Sequence, residues 1–142
     1  NVRGYKFGGY IARISSIKSY FDENMKLLDE ENLDALFGGN HIYTKIRDDN
    51  PTRYIKGAKA KNIMAADGCI IEGEVENSVL FRGVRVGKGA KVKNCVLMQD
   101  TVIEPGVNVE YIISDKNVTI TADKEIKGTD SFPVYVAKYQ VV

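Results

Sequence analysis

A repeat of seventeen residues runs through the second half of the sequence and restricts its fold more than any other feature. Successive blocks read DGCIIEGEVENSVLFRG from residue 67, VRVGKGAKVKNCVLMQD from 84, TVIEPGVNVEYIISDKN from 101 and VTITADKEI from 118. The third position of the blocks holds Cys69, Val86, Ile103 and Ile120; the ninth holds Val75, Val92, Val109 and Ile126. Apolar residues that recur at a fixed period indicate a solenoid, in which each turn packs mainly on its neighbours.

Within each block the inward candidates stand about six residues apart, as in Cys69, Val75, Phe81 and then Val86, Val92, Met98. This period predicts short strands between tight bends, with three strands to one coil of a parallel β-helix. A degenerate first coil is expected near residue 55, because 62–65 resembles 77–80, which makes about four coils. A β-sandwich would instead require longer strands that alternate at period two, and the seventeen-residue register argues against it. The tail, residues 132–142, is predicted to be a last strand on the solenoid or on a neighbour.

The segment ahead of the solenoid is predicted to be a strand that runs into a helix over residues 8–28. Ser15 or Ser16 suits the helix N-cap, and apolar residues recur at helical spacing from Ile17 to Leu28. We expect a helix over 16–29, a further helical turn around 33–37 and an end to the helical pattern at 38–40. The apolar face of the helix is expected to pack on a protein body of which part lies outside this sequence. Residues 47–54 have the composition of a linker.

Charge and composition exclude several classes of protein. The 20 basic and 19 acidic residues leave no basic excess for nucleic acid, and the apolar runs are too short to span a membrane. Cys69 and Cys95 lack metal-site spacing and, without a secretory signal pattern, predict free thiols in the cytoplasm. Cys69 is assigned to an inward slot, and Cys95 aligns with Ser78 and Ile112. The chain begins at Asn1 in mid-pattern, so we expect a piece of a longer protein.

The single histidine, His41, limits what chemistry the solenoid can perform. It lies in the linker region, where a solvated side chain is the simplest interpretation. A zinc site of three histidines is impossible within this chain, and an acyltransferase that uses a histidine base in its coils is not favoured.

Lysine and arginine residues gather along the solenoid and leave two interpretations open. They are Arg53, Lys56, Lys59, Lys61, Arg82, Arg85, Lys88, Lys91 and Lys93. The favoured interpretation is a solvated outer face. The alternative is a site for a phosphorylated metabolite, whose oxygens accept charge-assisted hydrogen bonds from such side chains.

Helix, linker and solenoid together resemble the C-terminal part of bacterial glucose-1-phosphate adenylyltransferase, over nearly the whole chain. SYFDENMKLL (19–28) is the most specific stretch. The others are GGY (8–10), IYTK (42–45), NPTRY (50–54), ADGCIIEGEVENSVLFRGV (66–84), VGKGAKVKNCVLMQDTVIEPG (86–106) and IISDKNVTI (112–120). The resemblance implies a left-handed hexapeptide-repeat β-helix over 51–142, and over 1–50 the end of a nucleotidyltransferase domain with its helix and linker.

Arg13 departs from the catalytic pattern of that family. Catalytic members read Gly-Tyr-Trp-x-Asp-Val-Gly-Thr-Ile where this chain has GYIARISSI (9–17), so Arg13 stands where the family has an aspartate that binds magnesium. A guanidinium carries only donors and a permanent positive charge, so it cannot ligate the metal. The resemblance therefore implies a non-catalytic, GlgD-type subunit with no cofactor of its own, paired with a catalytic GlgC-type subunit. The alternatives are an ordinary arginine in an active enzyme and an arginine that binds an effector phosphate.

Phosphorylated effectors of the family bind near the junction of its two domains. By position, the residues that would contact such an effector here are Arg53, Lys116 and Lys138. The three functions left open are a regulatory subunit in glycogen synthesis, an active adenylyltransferase, and a module that serves assembly alone.

Overall fold

The computed structural model describes residues 1–39 and 41–142, and a parallel β-solenoid begins in it at Arg53. Two helices precede the solenoid, α1 (Ile17–Lys26) and α2 (Glu30–Phe37). The strands are β1 (Arg53–Tyr54), β2 (Lys59–Ala65), β3 (Ile70–Ile71), β4 (Glu74–Leu80), β5 (Arg85–Val86), β6 (Lys91–Lys93), β7 (Val96–Leu97), β8 (Val102–Ile103), β9 (Asn108–Glu110), β10 (Ile112–Ser114), β11 (Thr119–Ile120), β12 (Glu125–Lys127) and β13 (Val134–Val136). The predicted hexapeptide-repeat solenoid of about four coils is confirmed. Among the described residues no helix combines the length and the apolar composition needed to cross a bilayer.

The strands stack in parallel on three faces. The first face is a sheet in the order β1, β3, β5, β8, β11. The second is formed by β6, β9, β12 and the first halves of β2 and β4, and the third by β7, β10, β13 and their second halves. Because β2 and β4 run through a corner without a break, they join the second and third faces into one sheet.

The corners between faces are made by residues in the left-handed region of backbone conformation. At the corner between the second and third faces, Asn62, Asn77, Asn94 and Tyr111 have φ between 44° and 52°. Asparagine tolerates this conformation better than other residues with a Cβ, and three of these four positions carry it. The corner after the third face uses Gly68, Gly83, Asp100 and Asn117 in the same way. The spacing of these residues sets the strand lengths that the sequence period reflects.

The core is a set of aliphatic columns, one residue per coil. Val75, Val92 and Val109 form one column, fully buried and in register, and Ile126 continues it at the last coil. In the column on the first face, however, the partner of Val86 is Ile71, not Cys69 as the block alignment predicted. Val75 follows Ile71 by four residues, whereas Val92 follows Val86 by six, because the corner loop of the earlier coil is two residues shorter. The seventeen-residue register therefore shifts at this corner.

Two other inward assignments were wrong by one residue. Leu80 and Leu97 fill the core, whereas Phe81 and Met98, which follow them, are half-buried. Successive residues of a strand face opposite sides, so Ser78 and Leu80 point inward while Val79 between them points outward.

Helix α1 packs on the outside of the third face. The outward column of that face is apolar: Met64, Val79, Val96, Ile113 and Tyr135. Phe21 of α1, 2% exposed, lies on this column with Tyr20 and Met25 beside it. The solenoid thus buries Phe21, and the expectation that the apolar face packs on a body partly outside the sequence stays a prediction.

The segment around α1 differs from the prediction in two places. Residues 8–15 are not a strand, because no described strand lies beside them to accept their backbone hydrogen bonds. The predicted helix over 16–29 ends at Lys26. Asp29 is the N-cap of α2, whose first turn carries Glu30 and Glu31, favoured there by the helix dipole. Gly38 caps α2 within the predicted stop at 38–40, of which Asn40 lies outside the described residues.

The tail adds a last strand to the solenoid, as predicted. β13 pairs in parallel with β10, and Val141 bridges to Thr119 on the first face. Position 51 as the start of the solenoid domain stays a prediction.

Candidate functional site

An apolar hollow opens where the chain enters helix α1. Ile14, Ile17 and Tyr20 line one side, and Met98, Ile113 and Tyr135 of the third face line the other. Ser16 fixes the entry through a capping box, because the Ser19 amide donates to Ser16 Oγ at 3.0 Å and the Ser16 amide donates to Ser19 Oγ at 2.8 Å.

Asp115 lies at the edge of this hollow and is held by two donors. The pairing of β10 with β13 puts Tyr135 beside Ile113, and from there the Tyr135 hydroxyl donates to Asp115 Oδ2 at 3.0 Å. The amide of Lys116 donates to Asp115 Oδ1 at 2.6 Å. The hydrogen bond from Lys116 lowers the pKa of Asp115, as do the Tyr135 hydroxyl and the charges of Lys138 and Lys116. Asp115 is therefore an ionised anchor at neutral pH.

Lys116 and Lys138 are brought together around Asp115. The amide of Tyr139 donates to the Lys116 carbonyl at 3.2 Å, which ties the segment after β13 to the corner that carries Lys116. Lys138 Nζ lies 4.6 Å from the centroid of the Tyr139 ring, within the range of a cation–π interaction. Both lysines are exposed. We call Asp115, Lys116, Tyr135, Lys138 and Tyr139 the lysine cluster; its two ammonium groups can donate hydrogen bonds to an anionic group from solvent.

Arg53, the third residue predicted to bind an effector, lies elsewhere. It is exposed on β1, whereas Lys116 lies in the corner three residues before β11, the last strand of the same sheet. Four strand spacings of about 4.8 Å separate these strands, about 19 Å in all. The structure therefore does not bring Arg53 into the lysine cluster.

Arg13 is exposed in the extended segment just before Ile14. The segment is attached to α1 by Tyr10, whose hydroxyl donates to Glu23 Oε2 at 3.1 Å. Within residues 1–39 and 41–142 no group of three histidine, cysteine, aspartate or glutamate side chains is arranged to hold a metal ion. The Arg13 guanidinium itself offers no lone pair to a metal ion.

Most lysines of the second face stand in charge ladders. One outward column runs Lys59, Glu74, Lys91, Asn108, Glu125, and a second runs Lys61, Glu76, Lys93, Glu110, Lys127. Lys59 Nζ lies 2.7 Å from Glu74 Oε1, and Lys61 Nζ lies 3.1 Å from Glu76 Oε1. The hydrogen bond from Lys59 lowers the pKa of Glu74. The ladders support the interpretation of this face as a solvated surface with balanced charge.

The cysteines and the histidine take no part in the candidate site. Cys95 is fully buried and stacks with Ser78 and Ile112 as predicted; its amide donates to Ser78 Oγ at 3.0 Å. Burial raises the pKa of its thiol to about 12. Cys69 is also buried, with a raised pKa from burial, and its thiol donates to the Phe81 carbonyl at 3.2 Å. His41 is exposed beside Tyr43.

Asp115, Tyr135 and Tyr139 were missed by the sequence analysis. The tail was predicted to be a strand, but its register against β10 could not be derived, and that register alone brings Tyr135 to Asp115. The sequence SDKN could have indicated the position of Lys116. Asn117 suits a corner in the left-handed backbone conformation, and such a corner projects the neighbouring side chains outward.

The comparisons with known proteins agree with this architecture. The family described as "GlmU-like, C-terminal hexapeptide" matches residues 45–132, which include most of the solenoid. The chain is 43% identical to "Glycogen biosynthesis protein GlgD" of Bacillus subtilis (strain 168) over 135 residues, which cover 94% of this chain and 39% of that protein.

Two proteins of Geobacillus stearothermophilus are also similar. One is "Glycogen biosynthesis protein GlgD", 53% identical over 49% of this chain and 20% of its own length. The other is "Glucose-1-phosphate adenylyltransferase", 42% identical over 63% of this chain and 23% of its own length. The chain thus spans about two fifths or less of these relatives. It belongs to the GlmU-like C-terminal hexapeptide family, as a homologue of part of GlgD and glucose-1-phosphate adenylyltransferase.

Proposed function

We propose that the chain is the regulatory, non-catalytic part of a hetero-oligomeric glucose-1-phosphate adenylyltransferase of glycogen synthesis. A catalytic partner subunit converts ATP and glucose-1-phosphate to ADP-glucose and pyrophosphate, and this chain contributes subunit contacts and a response to an anionic effector. The observation that carries the proposal is Arg13, an exposed cation at the position that binds magnesium in the catalytic members the sequence resembles.

Two further observations support a subunit paired with an active enzyme. Geobacillus stearothermophilus has both a GlgD protein and an adenylyltransferase similar to this chain, as expected if two paralogues work together. The unpaired, buried Cys69 and Cys95 fit assembly in the reducing cytoplasm.

The lysine cluster is the proposed effector site. Lys116 and Lys138 carry two positive charges beside one carboxylate, and that carboxylate is already engaged by Tyr135 and by the Lys116 amide. A phosphorylated metabolite would accept hydrogen bonds from both ammonium groups. The apolar hollow at Ile17, Tyr20 and Ile113 lies next to the cluster and is wide enough to take the uncharged part of such a molecule.

The regulatory role is tested by the effector response of the mixed complex. We expect the double substitution Lys116→Gln with Lys138→Gln to abolish the change in rate that a phosphorylated effector produces, with the rate in its absence unchanged. Lys124→Gln is the control, since Lys124 is exposed on the last coil outside the lysine cluster. An effector response that survives the double substitution would contradict the proposed site. A mixed complex without any effector response would favour a module for assembly alone.

A further inference from the structure

The outward charges of the second face alternate in sign from strand to strand. Two lysines on β2 and two on β6 flank two glutamates on β4; in strand order they are Lys59 and Lys61, Glu74 and Glu76, Lys91 and Lys93. On β9 the same two places hold Asn108 and Glu110. Neighbouring strands are about 4.8 Å apart, and outward residues of one strand about 6.6 Å, so the charges form a regular grid.

Only part of this grid is paired within one copy of the chain. The lysines of β2 pair with the glutamates beside them on β4 at 2.7 and 3.1 Å. Lys91 and Lys93 stand in register with the same glutamates, yet in the part of the chain that the structure describes they form no ion pair. Glu110, one strand further, accepts a hydrogen bond from Asn94 Nδ2 at 3.5 Å, too long to be strong. The second face therefore presents lysines that an external carboxylate can reach.

The second face is also open. Helix α1 lies on the third face, and the tail pairs with strands of the first and third faces. The shallow trough between the two outward columns is lined by residues of the second-face strands themselves. A partner can therefore approach the grid of charges over its whole width.

The order of charges on this face is complementary to its own reverse. Consider a second copy that lies face to face with the first, its solenoid running in the opposite direction, with β4 of each copy over β6 of the other. The facing pairs, each formed twice, are then Lys91 with Glu74, Lys93 with Glu76 and Lys61 with Glu110. A copy running in the same direction and register would instead place the lysines of β2 and β6 over lysines and the glutamates of β4 over glutamates, which is unfavourable.

We propose that the second face docks on the second face of another copy of this chain, with the two solenoids antiparallel. The four overlapping strands cover roughly 20 by 10 Å, well below the roughly 800 Å² per partner that stable interfaces bury. The contact is therefore weak and screened by salt, and it joins assembled oligomers rather than holding one together. It does not depend on the proposed regulatory role.

Charge reversal on facing strands tests the docking in the full-length protein. Sedimentation velocity at high protein concentration and low salt compares two double variants, Glu74→Lys with Glu76→Lys and Lys91→Glu with Lys93→Glu. We expect each variant alone to associate at least about tenfold more weakly, because like charges then face each other. An equimolar mixture of the two should associate again, since the reversed strands are complementary, and a folding defect could not produce this recovery. Lys88→Glu with Lys124→Glu, at exposed bends, is the control.

Cross-linking tests the orientation. Cys69 and Cys95 are fully buried, so an introduced surface cysteine reacts on its own. A bismaleimide that spans about 10 Å, the distance between packed sheets, should join a Glu74→Cys copy to a Lys91→Cys copy. Either variant by itself should give little product, because its cysteine faces a residue of the other type.

Four results would overturn this inference. The first is a full-length protein whose association does not change with salt. The second is charge-reversed variants that associate as well as the unchanged protein, or that fail to recover in the mixture. The third is efficient cross-linking of Glu74→Cys to itself, which would indicate solenoids running in the same direction. The fourth is association that appears only with the catalytic partner subunit, which would make that subunit the occupant of the second face.

Discussion

The ring of Phe21 in helix α1 lies 6.1 Å, centroid to centroid, from the ring of Tyr111 at a corner of the solenoid. This contact, together with Val79, Val96 and Ile113 beneath Phe21, attaches the segment that carries Arg13 to the solenoid that carries the lysine cluster. The two features on which the proposed function depends are therefore parts of one packed unit.

Phe21→Ala is expected to detach the helix. Loss of a buried phenylalanine lowers the free energy of unfolding by about 3 kcal/mol. Phe37→Ala is the matched control, because Phe37 is 51% exposed at the end of α2 and its loss should cost little. Urea titration measures the change, and limited proteolysis near residue 20 reports whether α1 has left the third face. Equal stability of the two variants would contradict the packing of α1.

Because the Cys95 thiol is buried, we expect the free energy of unfolding to fall at alkaline pH. The unfolded thiol loses its proton above its ordinary pKa of 9.0, whereas the folded thiol keeps it until a pKa of about 12. The folded state therefore binds more protons between these values, and the free energy of unfolding falls by about 1.4 kcal/mol per pH unit as pH rises. Cys95→Ala should make the slope shallower by about that amount, with a residual slope from Cys69. A slope that Cys95→Ala does not change would contradict this account.

The columns and corners show how far sequence reasoning reached. The column through Val75 was predicted because seventeen residues separate its successive members. The Cys69 assignment failed because Ile71 and Val86 are only fifteen residues apart, and a corner loop that loses two residues leaves no mark in the apolar pattern. Asp115 and Tyr135 are twenty residues apart and meet only through the register of a strand outside the repeat.

Asn94 tests the corner conformation. Its φ of 51° is tolerated by asparagine and glycine but is strained for a β-branched side chain. We expect Asn94→Val to lower the free energy of unfolding by about 1–2 kcal/mol and Asn94→Gly to cost clearly less. Thermal unfolding of the two variants measures the difference. A glycine variant as unstable as the valine variant would show that the loss of stability does not come from strain at positive φ.

Lys93 tests the charge ladders of the second face. It stands in register between Glu76 and Glu110, so Lys93→Glu would place three carboxylates side by side. We expect a loss of about 1 kcal/mol that shrinks as salt is added, because surface charges are screened. Lys88→Glu, at an exposed bend outside the ladder, is the control. A loss that does not depend on salt would indicate a packing defect rather than repulsion.

The central claim is that this chain regulates an adenylyltransferase and does not itself catalyse. The most direct measurement is the rate of ADP-glucose formation from ATP and glucose-1-phosphate by the full-length protein alone, by its catalytic partner alone and by the mixture. The account predicts no activity for the protein alone and, in the mixture, a raised rate or an altered effector response relative to the partner alone. Substantial activity of the protein alone would contradict it and would mean that residues other than Arg13 supply the magnesium site.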